Sequence, residues 1–182
     1  MRIIEVAETE LAKGVREIGG KNRGPDVETY QKCVGLRPGD PWCAAFVSWC
    51  YLTATGLESA PWCSGSAITI FHKGTRKGAS AEVVYPDSPE LATRVRPGMI
   101  WVRAKSPEGA RSASRGVWVQ GHCGIVVAVD SVGFTCVEGN TNSAGARDGD
   151  GVYRKLHKWG ASDIARTVGW FMPAAAPARP NV

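Results

Sequence analysis

The sequence has no apolar stretch long enough to span a bilayer. It also lacks an uninterrupted apolar run near its start, because Glu5 and Glu8 stand where a secretory signal would be apolar. We therefore expect no membrane span, and synthesis in the cytoplasm without a signal peptide. If the protein acts outside the cell, we expect a holin pore or a secretion apparatus to export it.

Motifs for metal and nucleic-acid binding are missing as well. The six cysteines match no zinc-ligand spacing, and the basic residues are scattered rather than gathered on one helix. The net charge of +5 therefore favours another anionic polymer over nucleic acid. We expect no metal, no cofactor and mostly free thiols. Zinc ligation by Cys63, His72, His122 and Cys123 is the alternative, although adjacent strand residues such as His122 and Cys123 point to opposite faces.

The sequence does contain enough apolar residues for one core, since 43% of its 182 residues are hydrophobic. We assign residues 1–172 to a single domain. Apolar spacing predicts an amphipathic helix over residues 3–17 of it. Residues 173–182 are rich in Pro and Ala, so we expect a disordered tail there.

The segment 41–51 is apolar on nearly every helical face, which predicts a buried helix. Asp40 followed by Pro41 is typical of a helix N-cap and a first helical residue. The helix would then open at Cys43, in the first turn, where the helix dipole and free backbone N–H groups favour a thiolate. This position suggests a nucleophile, although free cysteine is also among the residues most often buried for structural reasons.

A later histidine strengthens the case for catalysis. His122 begins a predicted β-hairpin over residues 121–138 that ends at Glu138, with Asn140 close behind. A two-residue turn would place His122 and Glu138 on opposite faces of the hairpin. We therefore predict a three-residue loop, or an equivalent bulge, that brings them to one face. His157 is a rival base, but no Gly-apolar strand and no Glu-Gly-Asn sequence follow it.

Three short motifs, in the same order along the chain, resemble the CHAP family of cysteine, histidine-dependent amidohydrolases and peptidases. They are Trp42 to Val47 (WCAAFV), Gly121 to Val126 (GHCGIV) and Glu138 to Asn142 (EGNTN). The resemblance extends from about Val15 to Trp170. It implies a papain-like α+β fold in which N-terminal helices pack on an antiparallel β-sheet.

The resemblance also implies roles for the residues of these motifs. Cys43 would be the nucleophile and His122 the base, with Glu138 and Asn140 orienting the imidazole. The strand register decides which of the two contacts the ring. The implied activity is hydrolysis of an amide bond in bacterial peptidoglycan through an acyl-enzyme, either as an N-acetylmuramoyl-L-alanine amidase or as an endopeptidase. The protein would then act on the cell wall, with an immunity protein as partner if it is a secreted antibacterial effector.

Two other classes of function fit the same residues. A non-catalytic wall-binding or virion structural module would use the basic charge without turnover. A transferase or deamidase acting on proteins would use the same Cys and His pair.

Four residues are predicted to contact substrate around this site: Trp42, Trp118, Asn22 and Arg23. For the tryptophans the alternative is a place in the core, and for the other two it is an ordinary solvated loop. The segment 105–116 is predicted to be a mobile loop at the rim of the cleft.

Overall fold

The computed structural model describes residues 2–142 and 149–174, which form an α+β architecture with a six-stranded antiparallel sheet and seven helices. The helices are α1 (Ile3–Lys13), α2 (Pro25–Cys33), α3 (Cys43–Thr55), α4 (Ala67–Gly74), α5 (Leu91–Arg94), α6 (Pro107–Ser114) and α7 (Ala161–Ile164). The strands are β1 (Ser80–Val84), β2 (Ile100–Ala104), β3 (Gly121–Val129), β4 (Gly133–Thr141), β5 (Gly151–Lys158) and β6 (Thr167–Pro173). Their order in the sheet is β1-β6-β2-β3-β4-β5. None of the described helices has the length and apolar character that a bilayer crossing requires.

The two faces of the sheet bury different side chains, because successive residues of a strand point to opposite sides. On β2, Ile100 and Val102 join a core formed with α1, α3, α4 and α6. Trp101, between them, joins a second, aromatic-rich cluster that includes Phe134 and Trp170. All these side chains are fully buried, and each contributes about 1.5–3 kcal/mol to the free energy of unfolding.

Helix α3 is buried on most sides, as its composition predicts, but its N-cap differs from the prediction. Its first residue is Cys43 and its N-cap is Trp42, with no side-chain cap. The predicted N-cap, Asp40, instead accepts a hydrogen bond from the Arg37 backbone N–H at 2.8 Å and so closes the preceding turn. Asp40 is therefore not the N-cap, whereas the predicted opening of the helix at Cys43 is confirmed.

Two other segments also differ from their predictions. Helix α1 ends at Lys13, where Gly14 adopts φ +65°, and the next residues turn to pair with β5 through the Arg16–Gly151 bridge. The segment predicted as a mobile loop contains α6, whose N-cap Ser106 accepts from the Gly109 N–H at 3.1 Å. Ser followed by Pro is a helix-start signal, which the abundance of Gly and Ser in the segment obscured.

The chain end is ordered slightly further than predicted. Pro173 belongs to β6, where it pairs with Ser80, and the Ala174 N–H bonds the Ala79 carbonyl at 3.2 Å. The rest of the predicted tail, residues 175–182, lies outside the described residues.

The β3–β4 hairpin confirms the prediction of a bulge. Its turn is a two-residue one, in which the Asp130 N–H bonds the Gly133 carbonyl at 2.9 Å. The register then shifts between Val126 and Ala128, so that Val127 is an extra residue on β3. This shift places Glu138 opposite Gly124 and on the same face as His122.

Candidate active site

Cys43 opens α3 and buries its sulfur against two residues of β3, His122 and Cys123. The pKa of the Cys43 thiol is held well below its ordinary value, chiefly because the Cys123 thiol donates to the sulfur. The His122 ring and the Ala44 backbone N–H stabilise the thiolate further, and together these contacts outweigh the cost of burying the charge. The sulfur is therefore in a position that favours its nucleophilic form.

His122 lies between the sulfur and a carboxylate. Its Nε2 is 2.8 Å from Glu138 Oε2, which leaves Nδ1 as the ring atom for the contact with Cys43. Burial disfavours the charged ring, but the Glu138 carboxylate and Cys43 raise the pKa of His122 to about 10. Near neutral pH these shifts favour a thiolate and imidazolium pair.

Glu138 is 2% exposed, and both of its oxygens have imidazole partners. The second partner is His157 on β5, whose Nε2 lies 2.5 Å from Glu138 Oε1. Burial alone would raise the pKa of Glu138, but His122 and His157 lower it to about 2. The carboxylate is thus held in its charged form and in a fixed orientation.

His157 is placed as a partner of Glu138 rather than as a base for Cys43. Its ring lies between Trp101 and Phe134, with centroid distances of 4.0 and 5.1 Å. From the sequence His157 was predicted only as a rival to His122, and its contact with Glu138 was not predicted. The strand alternation was a usable signal, because His157 pairs with Phe134, which shares a face of β4 with Glu138.

A glycine on β3 makes room for the carboxylate. A Cβ atom at Gly124 would lie 2.6 Å from Glu138 Cγ, which is too close for any larger residue to be accommodated without movement. The glycine after His122 in the GHCG motif is therefore explained by the approach of Glu138 to the ring.

Among the described residues Asn140 forms no hydrogen bond with His122, unlike Glu138, the other residue predicted to orient the ring. The Asn140 backbone adopts φ +54°, and its side chain points to the start of α3. Asn140 Oδ1 accepts from the Trp42 backbone N–H at 3.4 Å, and Nδ2 donates to Asn22 Oδ1 at 2.8 Å. Asn140 therefore ties β4 to the tip of α3, and Glu138 alone meets the imidazole.

Glu17 is the centre of this second network, and the sequence analysis did not identify it. Its carboxylate accepts from the Asn22 backbone N–H at 2.8 Å, the Trp42 indole at 2.9 Å and Asn140 Nδ2 at 3.3 Å. No local sequence motif identifies Glu17 as a site residue, because its partners are distant in sequence. The network fixes the residue immediately before Cys43.

Of the four residues predicted to contact substrate, two have structural roles and two are exposed. Trp42 is fully buried, so its prediction as a cleft wall was wrong: its ring packs against Tyr30 and Phe46 instead. Asn22 is partly buried and also bonds the Gly39 carbonyl at 3.0 Å, which gives it a structural role. Arg23 is exposed and paired with Glu28 at 2.7 Å.

Trp118 is the most exposed aromatic residue among the predicted substrate contacts. It is 63% exposed, and its indole N–H donates to Ser66 Oγ at 3.1 Å. An exposed ring held by one hydrogen bond is suited to stacking on a ligand. Its contact with substrate, like that of Asn22 and Arg23, stays a prediction.

Arg103 is a further residue of the site that the sequence analysis missed. It lies on β2 directly opposite His122, and its guanidinium is 5.7 Å from the centre of the Trp101 ring. Its Nε is buried without a hydrogen-bond partner. Burial lowers the pKa of Arg103, whereas the charges of Glu138, Asp163 and Cys43 raise it.

Within residues 2–142 and 149–174, one group of side chains has the spacing of a metal site. The ligand atoms of Cys136, Glu138 and His157 lie within 4.8 Å of one another. Both oxygens of Glu138 are already bonded to imidazoles, and burial raises the pKa of the Cys136 thiol well above its ordinary value. A metal ion would have to displace these hydrogen bonds and deprotonate the thiol. His72, from the alternative zinc set, instead bonds the Ala113 carbonyl at 2.7 Å.

Comparisons with known proteins add little to this geometry. No protein-family model matches the chain, and no curated protein matches it either. One solved structure, the X-ray crystal structure of PlyC, aligns with 92% of the chain at 20% sequence identity and a TM-score of 0.46. The chain spans about a third of the length of that protein, since the alignment covers 35% of it.

Proposed function

We propose that the protein is a cysteine-dependent hydrolase that cleaves an amide bond in the peptide of bacterial peptidoglycan. The proposal rests on one observation: Cys43, His122 and Glu138 contact one another in series, and the pKa of the sulfur is lowered where the pKa of the ring is raised. A thiolate beside an imidazolium is the resting state of papain-like enzymes. The resemblance of three motifs to the CHAP family supports both the papain-like arrangement and the substrate.

In the proposed mechanism the Cys43 thiolate attacks the carbonyl carbon of the scissile amide and forms a tetrahedral oxyanion. The Cys43 backbone N–H, at the uncapped tip of α3, is the first donor to that oxyanion. His122 then gives its proton to the leaving amine, and the carbon–nitrogen bond breaks to leave a thioester. Water, deprotonated by His122, attacks the thioester, and its hydrolysis releases the carboxylic acid and restores the Cys43 thiolate.

Glu138 has two roles in this scheme. It fixes the ring so that Nδ1 faces the sulfur, and its charge stabilises the imidazolium. His157 acts through Glu138 as a positioning residue. The network of Glu17, Asn22 and Asn140 would hold the helix tip, and therefore the sulfur, in register with β3.

Digestion of purified peptidoglycan tests this function directly. We expect the protein to release soluble fragments, and mass analysis of the new ends distinguishes an amidase from an endopeptidase. The Cys43→Ala variant should bind the wall but release nothing, and iodoacetamide should abolish the activity that a chelator leaves intact. Wall binding without any release by the unmodified protein would favour a binding module. Modification of a protein substrate instead of the wall would favour a transferase or deamidase.

A further inference from the structure

Arg103 is a charged residue of the candidate site that the proposed mechanism does not use. Register places it beside His122, on the face of β2 that also carries Trp101. Its side chain is largely enclosed, and its buried Nε has no acceptor. Guanidinium groups in such places are normally paired, because an unpaired buried charge is costly. The site therefore contains an unused anion-binding group.

Two carboxylates, Glu138 and Asp163, act on Arg103 through their charge, but neither forms an ion pair with it. Glu138 directs one oxygen to His122 at 2.8 Å and the other to His157 at 2.5 Å. Among the residues that the structure describes, no carboxylate forms an ion pair with Arg103. Arginines elsewhere in the chain do form such pairs, for example Arg111 with Glu108 at 3.0 Å and Arg166 with Asp163 at 3.3 Å.

The chemistry of the missing partner follows from the shape of the donor. A guanidinium presents a planar fork of N–H groups that matches the two oxygens of a carboxylate, and Trp101 supports one side of it. Arg103 lies directly opposite His122, whose ring contacts the sulfur of Cys43. An anion held by Arg103 would therefore lie near the carbonyl that Cys43 attacks. The peptides of peptidoglycan carry free carboxylates next to several of their amide bonds.

We propose that Arg103 binds a free carboxylate of the substrate peptide, so that the enzyme selects an amide bond flanked by that carboxylate over the same bond flanked by a carboxamide. This specificity rests on the proposed hydrolase function. It does not follow from the Cys43 and His122 pair itself, which would cleave either bond.

The test uses pairs of soluble muropeptides that differ only in one group, a free carboxylate or its carboxamide, at the glutamyl residue or at the diamino acid. We expect the unmodified enzyme to prefer the carboxylate form of one pair by about tenfold or more in kcat/KM. Arg103→Gln should reduce that preference to less than about twofold. Arg103→Lys should restore part of it, because the charge remains but the planar fork does not. Arg111→Gln removes an arginine that already has a carboxylate partner and should leave the preference unchanged.

The preference is a ratio measured within one protein, so partial unfolding of a variant does not affect it. Equal loss of kcat/KM on both members of every pair in Arg103→Gln would overturn the inference, because it would assign Arg103 to the oxyanion or to structure. Equal cleavage of both forms by the unmodified enzyme would overturn it as well.

Binding to the Cys43→Ala variant separates this inference from the proposed function. Calorimetric titration with the same muropeptides should show tighter binding of the carboxylate form by about tenfold or more, lost in Cys43→Ala/Arg103→Gln. If this preference appears although the unmodified enzyme cleaves no muropeptide, the inference stands and the hydrolase proposal fails. If cleavage occurs without any preference in cleavage or binding, the hydrolase proposal stands and the inference fails.

Discussion

Cys43 and Cys50 are both buried residues of α3, yet their thiols have opposite properties. The pKa of Cys43 is lowered chiefly by the Cys123 thiol, and also by His122 and the Ala44 backbone N–H. The pKa of Cys50 is raised well above its ordinary value by burial, with the Glu10 carboxylate adding to the effect. The comparison shows that burial does not decide reactivity. The hydrogen-bond donors and the charges that each sulfur meets decide it.

The strongest test of this comparison removes each thiol in turn. Cys43→Ala should abolish hydrolysis, because no other described thiol has a lowered pKa. Cys50→Ala should keep full activity and lose about 1 kcal/mol of stability through a small core defect. Rates of wall solubilisation and urea unfolding curves measure both effects. Equal activity of the two variants would remove Cys43 from the mechanism.

The next largest effect is expected from His122. His122→Ala should lower kcat/KM by about 10²–10⁴-fold, because it removes both the base and the charge beside the sulfur. The rate of Cys43 alkylation by iodoacetamide, followed against pH, should have its inflection well below the ordinary cysteine range in the unmodified protein. In His122→Ala the inflection should rise, and the behaviour of Cys43 should approach that of Cys50. An unchanged profile would mean that His122 does not set the state of the sulfur.

The pH dependence of stability tests the role of the Glu138 charge beside His122. The folded pKa of Glu138, about 2, lies below its unfolded value, so its stabilisation is present above pH about 4.5 and is lost as pH falls toward 2. The folded pKa of His122, about 10, lies above its unfolded value, so its stabilisation is present below pH about 6.5 and is lost as pH rises through 10.

We expect Glu138→Gln to flatten stability against pH at both ends and to lower kcat by about 10–100-fold. Thermal melts from pH 3 to 10 measure the first effect. Glu108, which forms an exposed ion pair with Arg111, offers a matched control. Glu108→Gln should leave both the thermal melts and kcat near those of the unmodified protein, because exposed ion pairs contribute little. If the stability of Glu138→Gln depends on pH as that of the unmodified protein does, the charge of Glu138 is not coupled to folding.

The smallest effect is expected at His157, which reaches Cys43 only through two other residues. His157→Gln keeps a donor for Glu138 Oε1, and we expect kcat to fall by about threefold to tenfold with KM unchanged. His157→Leu removes the donor and should lower kcat further. It should also lower the pKa of His122, which is measured from the pH profile of kcat. Equal kcat in the two variants would mean that the hydrogen bond to Glu138 has no catalytic role.

Local patterns predicted much of the fold and the placement of Cys43 and His122 at a common site. The continuous apolar run of α3 requires burial wherever the helix lies, and a thiol in its first turn meets free N–H groups in any fold. For His122 and Glu138 to share a face, the hairpin needed one extra residue, and Val127 is that residue. These features follow from periodicity, which is visible in a single sequence.

The partners that depend on long-range contacts could not be predicted in the same way. Glu17 bonds Trp42 and Asn140, residues far along the chain, and nothing near Glu17 distinguishes it from a solvated acid. Trp42 was misjudged because a large aromatic residue beside a nucleophile fits a cleft wall and a core equally well. Asp40 was misjudged because a turn and a helix cap compete for the same carboxylate, and only the three-dimensional structure shows which prevails.

The single unpaired residue at Val127 constrains how this hairpin can change in evolution. Deleting one residue from β3 or from the turn would exchange inward-facing and outward-facing positions along the rest of the strand, and would move the imidazole away from its carboxylate. Two compensating length changes, or none, preserve the arrangement. Homologues whose turn is longer by one residue should therefore lack the bulge, and the combined length of turn and strand should vary only in even steps.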